Sequence, residues 1–280
     1  MPKNKQLTRR ENAAVSAPFS DPLKGFGEAA NQIPSKVPVA RIEYLATPQT
    51  TQDHPDWKRG KFSINIGEQL NHLEACILGI KFSRMLWPDF DPNDQYPEPL
   101  CKSDNGLWPT GGIESPKTST THKFNGESRP VCVAFLADGQ PSRNATGKFI
   151  PVCPYAQFGQ NHEAPTCKEV FTIALFEHQL NIPLLFTIKS TGIKHLSDMR
   201  MKLLNFEREF KGKIEYPITL YAKFHIQSIP VKNWFEPHFE IVGKFAKTEL
   251  EMNIEAYNEI QPNLQKYSTD DIRFDGPEDA

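Results

Sequence analysis

Four of the five cysteines, Cys101, Cys132, Cys153 and Cys167, fall within or at the edges of one stretch, residues 88–168, that is rich in Pro, Gly, Ser, Thr and Asn. Thiolates bind Zn2+ tetrahedrally, and a zinc ion held this way ties distant loops together. In small zinc modules it supplies on the order of 10 kcal/mol or more of folding free energy. A stretch this long with little hydrophobic periodicity needs such a tether. The four cysteines are therefore read as ligands of a structural zinc. His162 lies between Cys153 and Cys167 and offers an imidazole in place of Cys132. The apolar run Val131 to Leu136 around Cys132 equally suits a plain core cysteine, so both fourth ligands stay open. No CxxC pair is present, because Ile150 stands three positions before Cys153. Cys76 reads as a small buried apolar residue.

A second chemistry is carried by rings beside cations. Lys81, Phe82, Arg84 and Trp87 form one such set. Lys189 and Lys194 follow beyond Phe186, and Tyr221, Lys223, Phe224 and Trp234 form another. Rings stack on exposed bases at about 1–3 kcal/mol each, and cations meet phosphates, which is how single strands are bound without sequence preference. Each of these residues also suits an ordinary sheet, with rings inside and lysines outside. Only their recurrence points to nucleic acid. Enzyme chemistry has no comparable pattern: the chain lacks HExxH, GxSxG and GxxxxGK[ST], and no catalytic role is expected.

The elements that must position these residues are mostly strands. Phe62, Ile64 and Ile66 alternate with polar residues, and Leu78, Ile80 and Phe82 do the same within Ala75 to Trp87, with the strand expected to end or change register near Arg84. Val170 to Phe176 and Pro183 to Lys189 read as a hairpin turning near Gln179 to Ile182. Ile214 to Ile229 reads as one long or two short strands, and Phe239 to Phe245 as another. Leu196, Met199, Leu203, Phe206 and Phe210, spaced by three and four, predict an amphipathic helix over Ile193 to Phe210, and a closing helix spans Thr248 to Ile260, stopped by Pro262. Five or six strands with one late helix fit a small, partly open barrel better than a doubly wound parallel sheet.

Composition bounds the rest. At 280 residues and 38% hydrophobic the chain can bury a core over part of its length, while 24 prolines against 16 glycines predict long irregular segments. A net charge of −2 excludes a bulk polycation but leaves room for a local basic groove. No apolar run nears the roughly 18 residues of a membrane span, and the basic start has no apolar stretch of signal-peptide length. A cytoplasmic, nucleoid-associated protein with reduced cysteines is expected. The domain reading is a mobile basic arm over 1–57, within which Val39 to Leu45 suits a short strand, a nucleic-acid-binding body over 58–247 containing the zinc loop 88–168, a C-terminal helix over 248–267 and an acidic tail over 268–280.

Two resemblances bear on function. Asp270-Asp271-Ile272-Arg273-Phe274 resembles the acidic C-terminal tip of bacterial single-stranded DNA-binding proteins, which recruits replication and repair proteins. The resemblance makes Asp270, Asp271, Ile272 and Phe274 partner-binding residues. The order Arg84-Met85-Leu86-Trp87, Pro-rich loop, Cys101-Lys102-Ser103-Asp104, Cys153-Pro154, Cys167, hairpin and Thr187-Ile188-Lys189-Ser190 is similar to zinc-containing proteins of phages and mobile elements. These are linked to DNA replication or recombination, and some have oligonucleotide-binding (OB) folds. The combined expectation is a mainly β, OB-like, partly open barrel with a zinc-stabilised loop and peripheral helices. It binds single-stranded DNA and makes or breaks no bond. The rival expectation is a recombination-directing or transcription-regulating protein that acts mainly through protein contacts.

Overall fold

The structure is a computed structural model that describes residues 39–44, 58–64, 69–88, 99–112, 121–124, 127–145, 148–159, 164–189, 192–210 and 214–266. The chain divides into two units, Met1–Val39 and Ala40–Ala280. The expectations for the arm over residues 1–38, for His162 and for the acidic tail over 268–280 lie outside the described residues.

The second unit is mainly β, 45% strand against 24% helix, and its large sheet curls into an open half-barrel. Its strands are β1 (Ala40–Tyr44), β2 (Phe62–Ile64), β3 (Gln69–Leu70), β4 (His72–Leu86), β5 (Cys101–Ser103), β8 (Cys167–Glu177), β9 (Ile182–Lys189), β10 (Ala222–Val231) and β11 (Trp234–Lys244). They run in the order β11-β10-β4-β8-β9-β1-β2-β3, with β5 added beside β4. The β1–β9 pair is parallel and the other pairs are antiparallel. Ala40–Tyr44 is a strand of this sheet, in agreement with the short strand expected at Val39 to Leu45 within the 1–57 segment.

The β8–β9 hairpin forms where the sequence predicts it. Asn181 takes a positive φ of 56° at the turn, a conformation asparagine tolerates better than most residues. The expected strand over Ile214 to Ile229 starts later, at Ala222, after a 3-10 turn at Ile218–Leu220, and β10 and β11 then join tightly through Lys232 at φ 50°. In β4 the register shifts between Ile77 and Gly79 rather than near Arg84. The bulge separates Leu78, which is buried, from Ile80, which is 41% exposed, so the expected alternation of Leu78, Ile80 and Phe82 on one face does not hold.

Helices α1 (Gly192–Arg208) and α2 (Lys247–Ile260) lie where periodicity places them. Leu196, Met199 and Leu203 of α1 join Leu73, Ala75, Ile77, Ile173, Leu175, Phe186, Phe224 and Phe239 in the main core. Pro262 does end α2, and the chain continues as a 3-10 turn over Gln261–Lys266. Leu264 of that turn comes so close to β4 that a Cβ on Gly79 would sit 2.6 Å from it.

The 88–168 region is less irregular than expected. Besides β5 it holds a two-stranded ribbon of β6 (Thr121–Phe124) and β7 (Glu127–Pro130). Single bridges join Val133 to Pro151, Phe135 to Pro141 and Arg143 to Phe149. No helix among the described residues is long and apolar enough to cross a membrane.

Candidate functional site

The cysteine site is built on β4. Leu86, at its end, pairs with Cys101 of β5 on one side and with Cys167 of β8 on the other. Two residues back, Arg84 pairs with Ser103 and Glu169, and two further back Phe82 pairs with Phe171. Side chains two apart on a strand share a face. One face therefore carries three rungs, of cysteine and leucine, then serine and an ion pair, then two phenylalanines. On β8 the same face continues through Ile173 and Leu175 into the main core.

Cys132 and Cys153 arrive from the connecting segment, held by backbone bonds. The Cys132 amide donates to the Leu107 carbonyl at 2.7 Å, and the Cys132 carbonyl accepts from the amides of Val152 at 3.0 Å and Cys153 at 3.3 Å. The turn that presents Leu107 is fixed in turn by Asn105 Oδ1, which accepts from the Leu107 amide at 2.9 Å, and by Ser103 Oγ, which donates to the Trp108 carbonyl at 2.6 Å. Cys153 precedes a 3-10 turn at Pro154–Ala156, whose Ala156 amide donates back to the Cys153 carbonyl at 2.9 Å.

Cys101, Cys132, Cys153 and Cys167 all line one small pocket together with Arg84, Ser103 and Tyr155. All four are buried, and none is in a disulfide. Burial pushes the thiols of Cys101 and Cys167 up to about 12 and that of Cys132 up to about 11, with neighbouring thiols adding to the effect. Arg84 opposes the shift at Cys132 and Cys167. Cys76 lies elsewhere in β4, buried, and its thiol is pushed up to about 12 by that burial.

Arg84 is 2% exposed and its Nη2 donates to Glu169 Oε1 at 2.7 Å. Its Nε is buried without a hydrogen-bond partner. Its guanidinium carbon lies 5.3 Å from the centre of the Phe82 ring, and that ring is 5.1 Å from Phe171 and 5.7 Å from Phe149. Arg143, exposed, lies over Phe149 at 3.9 Å. The half-buried rings of Phe171, Phe82 and Phe149 thus form a continuous aromatic row that ends on a cation.

The ring and cation set predicted from sequence is not brought to one place. Phe224 has zero exposure inside the main core, and Lys81 is 2% exposed with Asp104 at 3.7 Å. With Arg84 these are structural residues, and their burial removes them from a surface that a base or phosphate reaches. Trp87 and Lys189 both adjoin Val170, one packed against it and the other its cross-strand partner. Lys194 is exposed on α1. Tyr221 packs edge-on against Phe210, Lys223 holds Glu74 at 3.1 Å, and Trp234 sits at the far end of β10–β11 with Nε1 donating to Glu236 at 3.1 Å. Sequence reasoning missed Phe149 and Arg143, since nothing in the spacing of a bridge-rich loop shows which ring will meet a strand, and it missed the role of Phe171, whose place opposite Phe82 depends on the β4–β8 register.

A different set of residues meets a metal-like spacing. Among the described residues, the ligand atoms of His72, Glu74 and His225 all lie within 4.8 Å of one another, so this group could hold a metal ion. The cysteine sulfurs share a pocket without meeting that spacing three at a time. Comparison with protein-family models, curated proteins and solved structures finds no match to this chain.

Proposed function

We propose that this chain is a non-catalytic single-stranded DNA-binding protein of OB-like build that acts in replication or recombination, with a structural zinc held by Cys101, Cys132, Cys153 and Cys167. One observation carries the reading. The four-cysteine pocket and the aromatic row of Phe171, Phe82 and Phe149 share one face of the half-barrel, so a tether and a stacking surface are built together.

The donor set suits zinc. Burial keeps the thiols of Cys101, Cys132 and Cys167 protonated, and a divalent cation at the shared pocket would replace those protons. The unpartnered Arg84 Nε supplies the donor that a metal-bound thiolate accepts from. Zinc would require the cysteine side chains to rotate until their sulfurs close on a common centre.

The rings supply stacking, and Arg143, Lys189 and Lys194 supply phosphate contacts. The acidic residues Asp270 and Asp271, with Ile272 and Phe274, would recruit replication or recombination proteins, as the resemblance of the tail suggests. A second reading, action mainly through protein contacts, draws on exposed apolar side chains of the cysteine-tied segment: Phe158 is 70% exposed and Leu136 is 51% exposed.

Fluorescence anisotropy with labelled single-stranded and duplex oligonucleotides at two salt concentrations tests the proposal. Tighter, salt-sensitive binding of the single strand is expected. Equal affinity for the two forms, or none, would turn the assignment toward the protein-contact reading.

A further inference from the structure

The outer face of the β4–β10 ladder carries a constellation that the DNA-binding reading does not use. His72 and Glu74 are two apart on β4 and so share a face, and His225 of β10 pairs directly with Glu74. Directly opposed side chains of an antiparallel pair approach most closely, and a diagonal neighbour is still within reach of a long side chain. The imidazole rings of His72 and His225 accordingly lie 4.6 Å apart, centre to centre. All three residues are half-buried, and the ligand atoms of the set fall within 4.8 Å of one another.

The backbone holds this arrangement firmly. β4 is paired on both sides, by β8 and β10, and β10 lies between β4 and β11. The hydrophobic residues Leu73, Ala75, Phe224 and Ile226 alternate with the three polar ones and are buried in the main core. A one-residue slip would bury the histidines, so the core fixes the register that brings them together.

We propose that His72, Glu74 and His225 form a second metal site, separate from the cysteine pocket, for a divalent transition ion of the nickel and zinc class. Two imidazoles and one carboxylate are a borderline-soft nitrogen and oxygen set, which disfavours calcium and magnesium. The Gln179 amide nitrogen lies 3.1 Å from His72 Nε2. An amide nitrogen only donates, so Gln179 occupies the lone pair of this ring nitrogen, and an ion bound through Nε2 would displace that amide. Metal bonds of about 2.0–2.1 Å place ligand atoms within about 3–4 Å of one another, which side-chain rotation can reach from separations of up to 4.8 Å. Water or Gln179 would complete the coordination.

The site has a built-in competitor. Lys223 Nζ lies 3.1 Å from Glu74 Oε2 and 4.0 Å from Glu249 Oε1. An ion at the site takes the carboxylate from the ammonium, and Lys223 turns to Glu249.

The test is a Ni2+ titration of the full chain, followed by calorimetry and by paramagnetic broadening of assigned histidine signals. One Ni2+ should broaden His72 and His225 together, ahead of the other histidines. His72→Ala and His225→Ala should each lower affinity by about tenfold or more, the scale on which even outer-shell partners act. Glu74→Gln, which keeps the shape of the strand, should do the same with an unchanged melting temperature. Lys223→Met should raise affinity. Broadening that spares His72 and His225, or affinity unchanged in both histidine variants, would overturn the site, and equal affinity in Lys223→Met would overturn the competition.

Discussion

The amide of Cys153 donates to the carbonyl of Cys132 at 3.3 Å, which joins two cysteines twenty-one positions apart in sequence before any metal is considered. Val133 and Pro151 bridge immediately beside them. A zinc ion bound here would add to a crossing the backbone already makes. Purified protein is expected to hold close to one tightly bound zinc per chain, with any ion at the histidine site exchanging more readily. Replacing Cys132 or Cys153 with Ser should lower both metal content and melting temperature. Atomic absorption together with thermal denaturation checks this, and zinc-free protein of unchanged stability would remove the cysteine site.

The aromatic row makes a second prediction. Phe149→Ala removes a half-buried ring that lies on Phe82 and under Arg143. Single-strand affinity should fall by about 1–3 kcal/mol with little change in its salt dependence. Lys194→Ala should instead flatten the salt dependence by about 0.7 in the log–log slope. If the two variants behave alike in a salt series, stacking and phosphate contact are not divided in this way.

Arg84 and Glu169 form an ion pair whose cation is buried and whose anion is 38% exposed. Glu169→Gln keeps a weaker acceptor but leaves the Arg84 charge without its counterion. We expect a loss of about 1–3 kcal/mol, short of the cost for a pair buried at both ends. Arg84→Met removes the positive charge beside the thiols of Cys132 and Cys167, so zinc affinity should fall even where folding persists. Chemical denaturation and a competitive zinc chelator measure the two effects separately.

His178 connects the sheet to α2. Its ring lies 4.4 Å from Phe245, and its Nε2 donates to Asn253 Oδ1 at 2.8 Å, while Asn253 Nδ2 donates to the Leu220 carbonyl at 2.9 Å. Burial is the largest cause holding the His178 pKa below its ordinary value. The unfolded chain therefore binds a proton more readily than the folded one. The stability contribution is full above a pH of about 6.5 and is lost as pH falls through the lowered folded value. Urea denaturation between pH 7.5 and 5 should show this loss, and His178→Phe should reduce it. An identical pH profile in that variant would assign the acid sensitivity to another group.

Gly106 has φ +68°, and a Cβ there would run into the Phe82 ring. Gly106→Ala combines backbone strain with displacement of that ring, for a cost of about 1–3 kcal/mol. Because Phe82 sits in the middle of the aromatic row, single-strand affinity should fall as well. Gly139 has a similar φ of +83° but open space around it, so Gly139→Ala should cost stability without affecting DNA binding.

Element type was legible where hydrophobic period and burial agree. The β8–β9 hairpin and both helices follow from local spacing, because a strand or helix with one buried face must repeat its apolar residues at 2 or 3.6. That Cys101, Cys132, Cys153 and Cys167 meet in one pocket agrees with grouping them by sequence, although the segment that carries Cys132 and Cys153 is held by bridges and by its own buried residues such as Val131 and Val133. Only the tertiary structure decided which faces the rings and cations occupy. A bulge at Leu78 reverses the alternation of β4, burying Lys81 and setting Arg84 in the cysteine pocket with Phe82 two positions along the same face, and a single inserted residue leaves no mark in a propensity pattern. His72, Glu74 and His225 meet because β10 pairs with β4 in one register across some 150 residues of sequence. That register is set by burial of their neighbours, and no spacing within either strand contains it.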